Sequence, residues 1–216
     1  MSAFRLPPFY PVLDTELIVR RGMSAAEAAE AILEGGARIL QFRHKGFFSS
    51  EVFEAAIRVG ELCREANTLF VMNDRADIAI LLAAALHLGQ DDLEPEGARR
   101  IAPGATIIGL STHNEQQLRA GDQEPVDYLA LGPIFQTGSK QNPDPVVGIE
   151  GLRNLRALTR KPLVGIGGIT RATAGSVFNA GADSVAIIGD LYPEPLSKAV
   201  LQKRVEEWIA VCPARS

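Results

Sequence analysis

Short apolar runs in this chain end, again and again, in residues that can hold anions or cations. Gln41 and Arg43 close one run, with Lys45 just beyond. Asn73 and Asp74 close the next, and Asp91 and Asp92 follow Leu86-His87-Leu88-Gly89. Ser111 ends another, and a polar loop carrying Thr137, Ser139 and Lys140 follows Tyr128–Gly132. Pro162-Leu163-Val164 runs into Gly165-Ile166-Gly167-Gly168-Ile169, and Ser184–Ile188 ends at Gly189. Two carboxylates, Asp74 and Asp92, facing Lys and Arg suit Mg²⁺ and a polyphosphate: oxygen ligands for a hard cation, cationic donors for the remaining phosphate oxygens. Two strands that finish in glycine and feed helices suit a second phosphate, because glycine lets N–H groups approach an anion and a helix N-terminus adds partial positive charge. Two anion sites in one mouth imply two phosphorylated substrates. Any one of these residues could be a solvated loop residue. Asp74 could pair with Arg75, and Asp91-Asp92 could simply open a helix. Only their coincidence at strand ends favours a site. His87 reads as a satisfied core histidine, His44 and His113 as rim residues, and Trp208 as packing.

The elements that would position these groups alternate. Strands are expected at Phe9–Leu13, Arg38–Arg43, Thr68–Met72, Leu86–Gly89, Thr106–Leu110, Tyr128–Gly132, Pro162–Val164 with the glycines after it, and Ser184–Ile188. Helices are expected from Ala25 to Leu33, behind a Ser24/Glu27 capping box, from Ser50 to Ala66, and from Ala76 to Ala85. Further helices are expected over Pro95–Ile101, Glu115–Ala120, Leu152–Thr159, a run to Ala180, and Leu196–Val211. Eight short apolar strands, each followed by a helical segment, predict one (β/α)8 barrel over residues 1–216, with a doubly wound open sheet as the fallback. In a barrel the polar strand ends converge on one C-terminal mouth, and the loops after the last two strands take phosphate.

The 216 residues are 46% hydrophobic, enough for a substantial core, and carry a net charge of −4 that disfavours general affinity for nucleic acid. No run approaches the roughly 20 apolar residues of a membrane span, and the N-terminal stretch lacks a signal peptide's apolar segment. Cys63 and Cys212 show no metal-ligand spacing, as expected of free thiols in a reducing cytoplasm.

Along nearly its whole length the chain resembles thiamine phosphate synthase. The matching stretches are QFRHK at 41–45, NDRAD at 73–77, HLGQDDL at 87–93, GLSTH at 109–113, DYLALGPIF at 127–135, TGSK at 137–140, VGIGGI at 164–169 and GADSVAIIGDL at 181–191. The resemblance implies a (β/α)8 enzyme that joins 4-amino-2-methyl-5-hydroxymethylpyrimidine pyrophosphate to a thiazole phosphate, releasing pyrophosphate. It implies that Gln41, Arg43, Lys45 and Asn73 hold the pyrimidine pyrophosphate and that Asp74 and Asp92 bind Mg²⁺. Ser111 would contact the pyrimidine and Lys140 its pyrophosphate. Thr137 and Ser139 would lie against the thiazole phosphate, whose phosphate group meets the backbone of Gly168, Ile188 and Gly189. The family's usual segment before His-Leu-Gly-Gln is one residue longer than Ala83-Ala84-Ala85-Leu86, which leaves Asp91 as an alternative to Asp92. Gly138 interrupts the hydroxyl-rich loop, and Gly189 stands where many members have Ser. The rivals are a thiazole tautomerase, which generally lacks the Gly-Gln-x-Asp segment, and a non-catalytic thiamine-phosphate-binding barrel. Partners are expected to be small molecules, and homo-oligomerisation stays open.

Overall fold

The apolar runs form strands β1 (Phe9–Asp14), β2 (Ile39–Arg43), β3 (Leu69–Asn73), β4 (Ala85–Leu88), β5 (Ile108–Thr112), β6 (Tyr128–Leu131), β7 (Leu163–Ile166) and β8 (Ser184–Ile187). All pairings are parallel and in chain order, and β1 pairs with β8 to close the barrel, with Phe9 opposite Val185 and Pro11 opposite Ile187. The computed structural model describes residues 5–104, 106–137 and 144–214. The expected (β/α)8 barrel is therefore the fold.

Alternation along the strands divides the core in two. Tyr10, Val12, Ile39, Val71, Tyr128 and Ala130 fill the barrel interior. The opposite strand faces pack against the helices, where Leu13, Leu40, Phe42, Leu129 and Val185 meet Ile32, Val59 and Trp208. The helices are α1 (Thr15–Arg20), α2 (Ala25–Glu34), α3 (Ser50–Glu65), α4 (Ala76–Leu81), α5 (Pro95–Ile101), α6 (Glu115–Gln123), α7 (Gly148–Arg156), α8 (Arg171–Asn179) and α9 (Lys198–Val211), with a 3₁₀ turn at Gly189–Leu191. The Ser24/Glu27 capping box forms: Glu27 N–H donates to Ser24 Oγ at 3.2 Å and Ser24 N–H to Glu27 Oε2 at 3.0 Å. Trp208 is fully buried and stacks on Phe9 at 5.8 Å, the packing role read from sequence.

Local rules explain where the elements shift. The short helix α1 was not expected. Asp14 creates it by turning from the end of β1 and accepting the Leu17 N–H at 3.0 Å. The alanine-rich run after Asp74 is helical only to Leu81, because Ala83 adopts a left-handed φ of 50° and swings the chain into β4. Strand β5 runs two residues further than expected and takes in Ser111 and Thr112. Helix α7 begins at Gly148 instead of Leu152.

Gly109 illustrates how tightly the interior is filled. A Cβ there would overlap the ring of Tyr128, whereas a Cβ on the exposed, helical Gly175 would meet nothing within 4 Å. Gly109→Ala is expected to lower stability by about 1–3 kcal/mol through overpacking. Gly175→Ala should raise it by about 0.5–1 kcal/mol through helix propensity. Urea unfolding midpoints of the two variants check both signs.

Candidate active site

Inward-pointing positions change character near the C-terminal end of the barrel. Two residues above Ile39, Val71, Ala85 and Gly109 stand Gln41, Asn73, His87 and Ser111. The register sets Asn73 opposite His87 and His87 opposite Gly109. Gln41, Asn73 and His87 are all buried, at 5%, 7% and 6% exposure. His87 is satisfied, as expected of a core histidine: Nδ1 lies 2.9 Å from Tyr128 Oη and Nε2 2.9 Å from Ser111 Oγ. Asn73 Nδ2 is a buried donor with no hydrogen-bond partner, a group that an anion's oxygen would satisfy.

The charged groups gather on the β1, β2, β3 and β4 ends. Arg43 is ion-paired with Asp14, the same residue that caps α1. Lys45 Nζ reaches Asp74 Oδ2 at 2.5 Å. Asp92 lies within hydrogen-bonding reach of Asp74, and its Oδ2 accepts the Gly89 N–H at 2.7 Å. Asp91 is exposed. Burial pushes the Asp74 carboxyl up to about 6; Asp92 acts in the same direction and Lys45 opposes it. Asp74 also sits at a left-handed φ of 65°, a conformation rare outside glycine that tends to be retained at functional positions. Two adjacent carboxylate oxygens, one of them electrostatically uncomfortable, are a donor set that fits a divalent cation. Among the described residues no cluster of three or more His, Cys, Asp or Glu forms. Two carboxylates are a donor set compatible with Mg²⁺, which takes one or two carboxylates and fills its shell with water and phosphate oxygens.

The glycine-rich end of β7 also has a packing role that the sequence reading did not foresee. Gly167 and Gly168 have φ of 97° and 64°. A Cβ on Gly168 would fall 2.8 Å from Phe135 Cβ and closer still to the Gln136 carbonyl. The loop after β6 lies directly on these glycines, with Ile134 N–H donating to Ile166 O at 2.8 Å and Phe135 N–H to Gly167 O at 2.9 Å. These two glycines are thus also needed for one loop to seat on another. Gly189 is the open position: a Cβ there would meet nothing within 4 Å. Arg171 and Arg204 brace this turn through Asp190, Arg204 by donating to its carbonyl at 2.5 Å and Arg171 through a 3.5 Å ion pair with its carboxylate.

The structure thus brings Gln41, Arg43, Lys45, Asn73, Asp74, Asp92 and Ser111 to neighbouring strand ends. It places Gly168, Ile188 and Gly189 after β7 and β8, and a half-buried Thr137 on the loop after β6. Ser139 and Lys140 lie outside the described residues. Of the expected rim histidines, His113 is largely buried: its Nδ1 lies 2.6 Å from Gly132 O. His44 Nδ1 lies 2.7 Å from Thr15 Oγ1. Residues that sequence reasoning missed are Asp14, which orients Arg43, and Gln90, whose Nε2 donates to Ser111 O at 2.6 Å. Their signal was present in kind: Asp14 ends an apolar run, and Gln90 follows Gly89 at another strand end.

Burial depresses the pKa of His87 to about 4, with the Asp92 charge opposing and the Lys45 charge assisting. The unfolded chain takes up this proton near pH 6.5, the folded chain only near 4. Between those values the unfolded state binds more protons, so stability falls as pH falls through the window, by at most about 3 kcal/mol for this group. Asp74, raised to about 6, contributes the opposite slope over the same range. The His87 share is therefore read as the difference between parent and His87→Gln in urea unfolding from pH 7 to pH 4.5: the parent should lose more stability, or gain less, than the variant as pH falls.

Comparison with known proteins identifies the family. A thiamine monophosphate synthase family model matches residues 9–191. The thiamine-phosphate synthase of Koribacter versatilis is 45% identical over 201 residues, covering 92% of this chain and 95% of that protein. That of Methanospirillum hungatei is 37% identical over 190 residues, covering 88% and 92%. The solved thiamine phosphate pyrophosphorylase from Pyrococcus furiosus superposes with a TM-score of 0.81 at 30% identity, covering 94% of each chain. By sequence match and by shared fold, the chain belongs to the thiamine monophosphate synthase family.

Proposed function

We propose that this protein condenses 4-amino-2-methyl-5-hydroxymethylpyrimidine pyrophosphate with a thiazole phosphate to give thiamine phosphate and pyrophosphate. The observation that carries the reading is the grouping of Asp74, Asp92, Lys45 and the unpartnered Asn73 amide at one barrel mouth, facing a second glycine-lined turn at Gly189. The bond between the pyrimidine's methylene carbon and the pyrophosphate oxygen breaks. The electron-rich aminopyrimidine stabilises the resulting cation, and the thiazole nitrogen attacks it. Such a displacement needs no side-chain nucleophile. It needs the leaving group's charge neutralised, the cation shielded from water and the thiazole held in line.

In this reading Asp74 and Asp92 would hold Mg²⁺, which would offset the negative charge of the pyrophosphate. Arg43, held by Asp14, and Asn73 donate to the pyrophosphate oxygens. Lys45 is released from Asp74 to do the same. Gln41 and Ser111 hold the pyrimidine. By family likeness Lys140 meets the leaving pyrophosphate and Thr137 and Ser139 line the thiazole phosphate, whose phosphate group rests on the backbone at Gly168, Ile188 and Gly189. The protein acts in the cytoplasm on small molecules. Among the described residues no helix is long and apolar enough to cross a membrane.

Mass spectrometry of the purified protein with both substrates tests the reading. Thiamine phosphate should appear with Mg²⁺ and vanish with excess chelator. Folded protein that yields none would contradict it. Asp92→Asn should lower kcat by about a hundredfold, the scale of losing a charge-stabilising group in a closed site; a rate near that of the parent would remove Asp92 from the metal site. Gly189→Ser, which the open space accommodates, should lower KM for the thiazole phosphate about three- to tenfold by adding one hydrogen bond to phosphate.

A further inference from the structure

A chain of hydrogen bonds crosses the barrel interior beneath the mouth. Gln41 Nε2 donates to Tyr10 Oη at 2.9 Å, and Tyr10 Oη lies 2.8 Å from Tyr128 Oη. Tyr128 Oη lies 2.9 Å from His87 Nδ1, and His87 Nε2 lies 2.9 Å from Ser111 Oγ. Tyr10, Tyr128 and His87 are buried at 1%, 0% and 6% exposure. The chain thus joins the two residues assigned to the pyrimidine through three that never reach the surface.

Proton counting gives the chain a direction. Each hydroxyl has one proton to give. With the Gln41 amide donating to Tyr10, the Tyr10 proton goes to Tyr128. The Tyr128 proton then goes to His87 Nδ1. A neutral imidazole that accepts at Nδ1 carries its proton on Nε2 and donates it to Ser111 Oγ. The Ser111 proton is left pointing out of the chain, toward the mouth. We propose that His87, Tyr128 and Tyr10 are positioning residues that hold the Ser111 hydroxyl as a hydrogen-bond donor to a ring nitrogen of the pyrimidine substrate. This rests on the reading of the mouth as the pyrimidine site.

Two observations support the arrangement. Burial raises both tyrosines above their usual range, so both hydroxyls keep the protons the chain passes along. An imidazolium would donate from both nitrogens and reverse the Tyr128 link. Room for the chain is also built in. The His87 and Tyr128 rings stack at 5.5 Å and 23°, and Gly109, two residues before Ser111, is the position where a Cβ would overlap Tyr128. The chemistry is suited to the reaction proposed. A neutral hydroxyl grips the ring nitrogen without protonating it, so the ring keeps the electron density that stabilises the cation.

The test uses Tyr128→Phe and Tyr10→Phe, which keep the rings and delete single hydroxyls. Nitrogen-15 NMR of histidine-labelled full-length protein, without substrate, should find the His87 proton on Nε2 and Nδ1 as a hydrogen-bonded acceptor, and Tyr128→Phe should move the Nδ1 resonance to that of an unbonded, unprotonated ring nitrogen. In steady-state kinetics Tyr128→Phe should raise KM for the pyrimidine pyrophosphate about tenfold and leave KM for the thiazole phosphate unchanged, the scale of one misdirected hydrogen bond. Tyr10→Phe, further from the substrate, should give a smaller change of the same sign. A proton on Nδ1 in the parent protein would overturn the proposal. So would Tyr128→Phe protein that folds and shows an unchanged pyrimidine KM, or one in which both KM values move together. If Tyr128→Phe does not fold, Tyr10→Phe and the parent tautomer still decide. A parent protein that makes no thiamine phosphate would defeat the functional reading, while the tautomer would still report on the chain.

Discussion

Water does not fill the interior of a closed eight-stranded barrel, so a polar side chain that points inward must find its partner there. Everything at the mouth depends on that constraint. Low in the barrel it is met by apolar side chains. One layer higher it is met by linking Gln41, His87 and Ser111 through the hydroxyls of Tyr10 and Tyr128, which reach up from the lower layer. Asn73 Nδ2 is the exception among these groups, and it lies where a ligand would enter. A polar floor satisfied from below presents its remaining donors upward, which is a rigid starting point for recognising a ring and its phosphates.

The rim above that floor is electrostatically divided. Arg43 is held against Asp14 and Lys45 against Asp74, so both cations are already oriented before any anion arrives. The Asp74–Asp92 pair is the converse case. Two carboxylates in contact disfavour double ionisation, and the fold accepts this at a site buried enough to push Asp74 toward 6. Opposite these charges the turn at Gly189 is open and is braced from behind by Arg171 and Arg204 through Asp190.

Much of this was legible in the chain. Short β-branched runs alternating with capped helical segments gave the barrel, and polar residues at run ends marked Gln41, Asn73, Asp74, Asp92 and Ser111. What escaped sequence reading depends on three-dimensional closure. Tyr10 and Tyr128 look like strand hydrophobes, and only the register shows their hydroxyls meeting in the interior. Asp14 looked like a strand terminus, and only the pairing of β1 with β2 brings it to Arg43. The glycines of residues 165–168 suggested a phosphate cradle. The contacts of Gly167 and Gly168 show that these two also make room for the loop after β6, while Gly165 makes room for Val177. Local propensity also failed at Ala83, where a left-handed turn interrupts a run that composition alone reads as helix.

The most direct test of the central claim, that one mouth holds a metal-bound pyrophosphate and a second phosphate side by side, is a crystal structure with Mn²⁺ in place of Mg²⁺, pyrophosphate and the thiazole phosphate. The account predicts one anomalous peak between Asp74 and Asp92, with pyrophosphate oxygens reaching Arg43 and Asn73 and the thiazole phosphate group at the Gly189 turn. A metal bound away from both aspartates, or both anions at one end of the mouth, would contradict it.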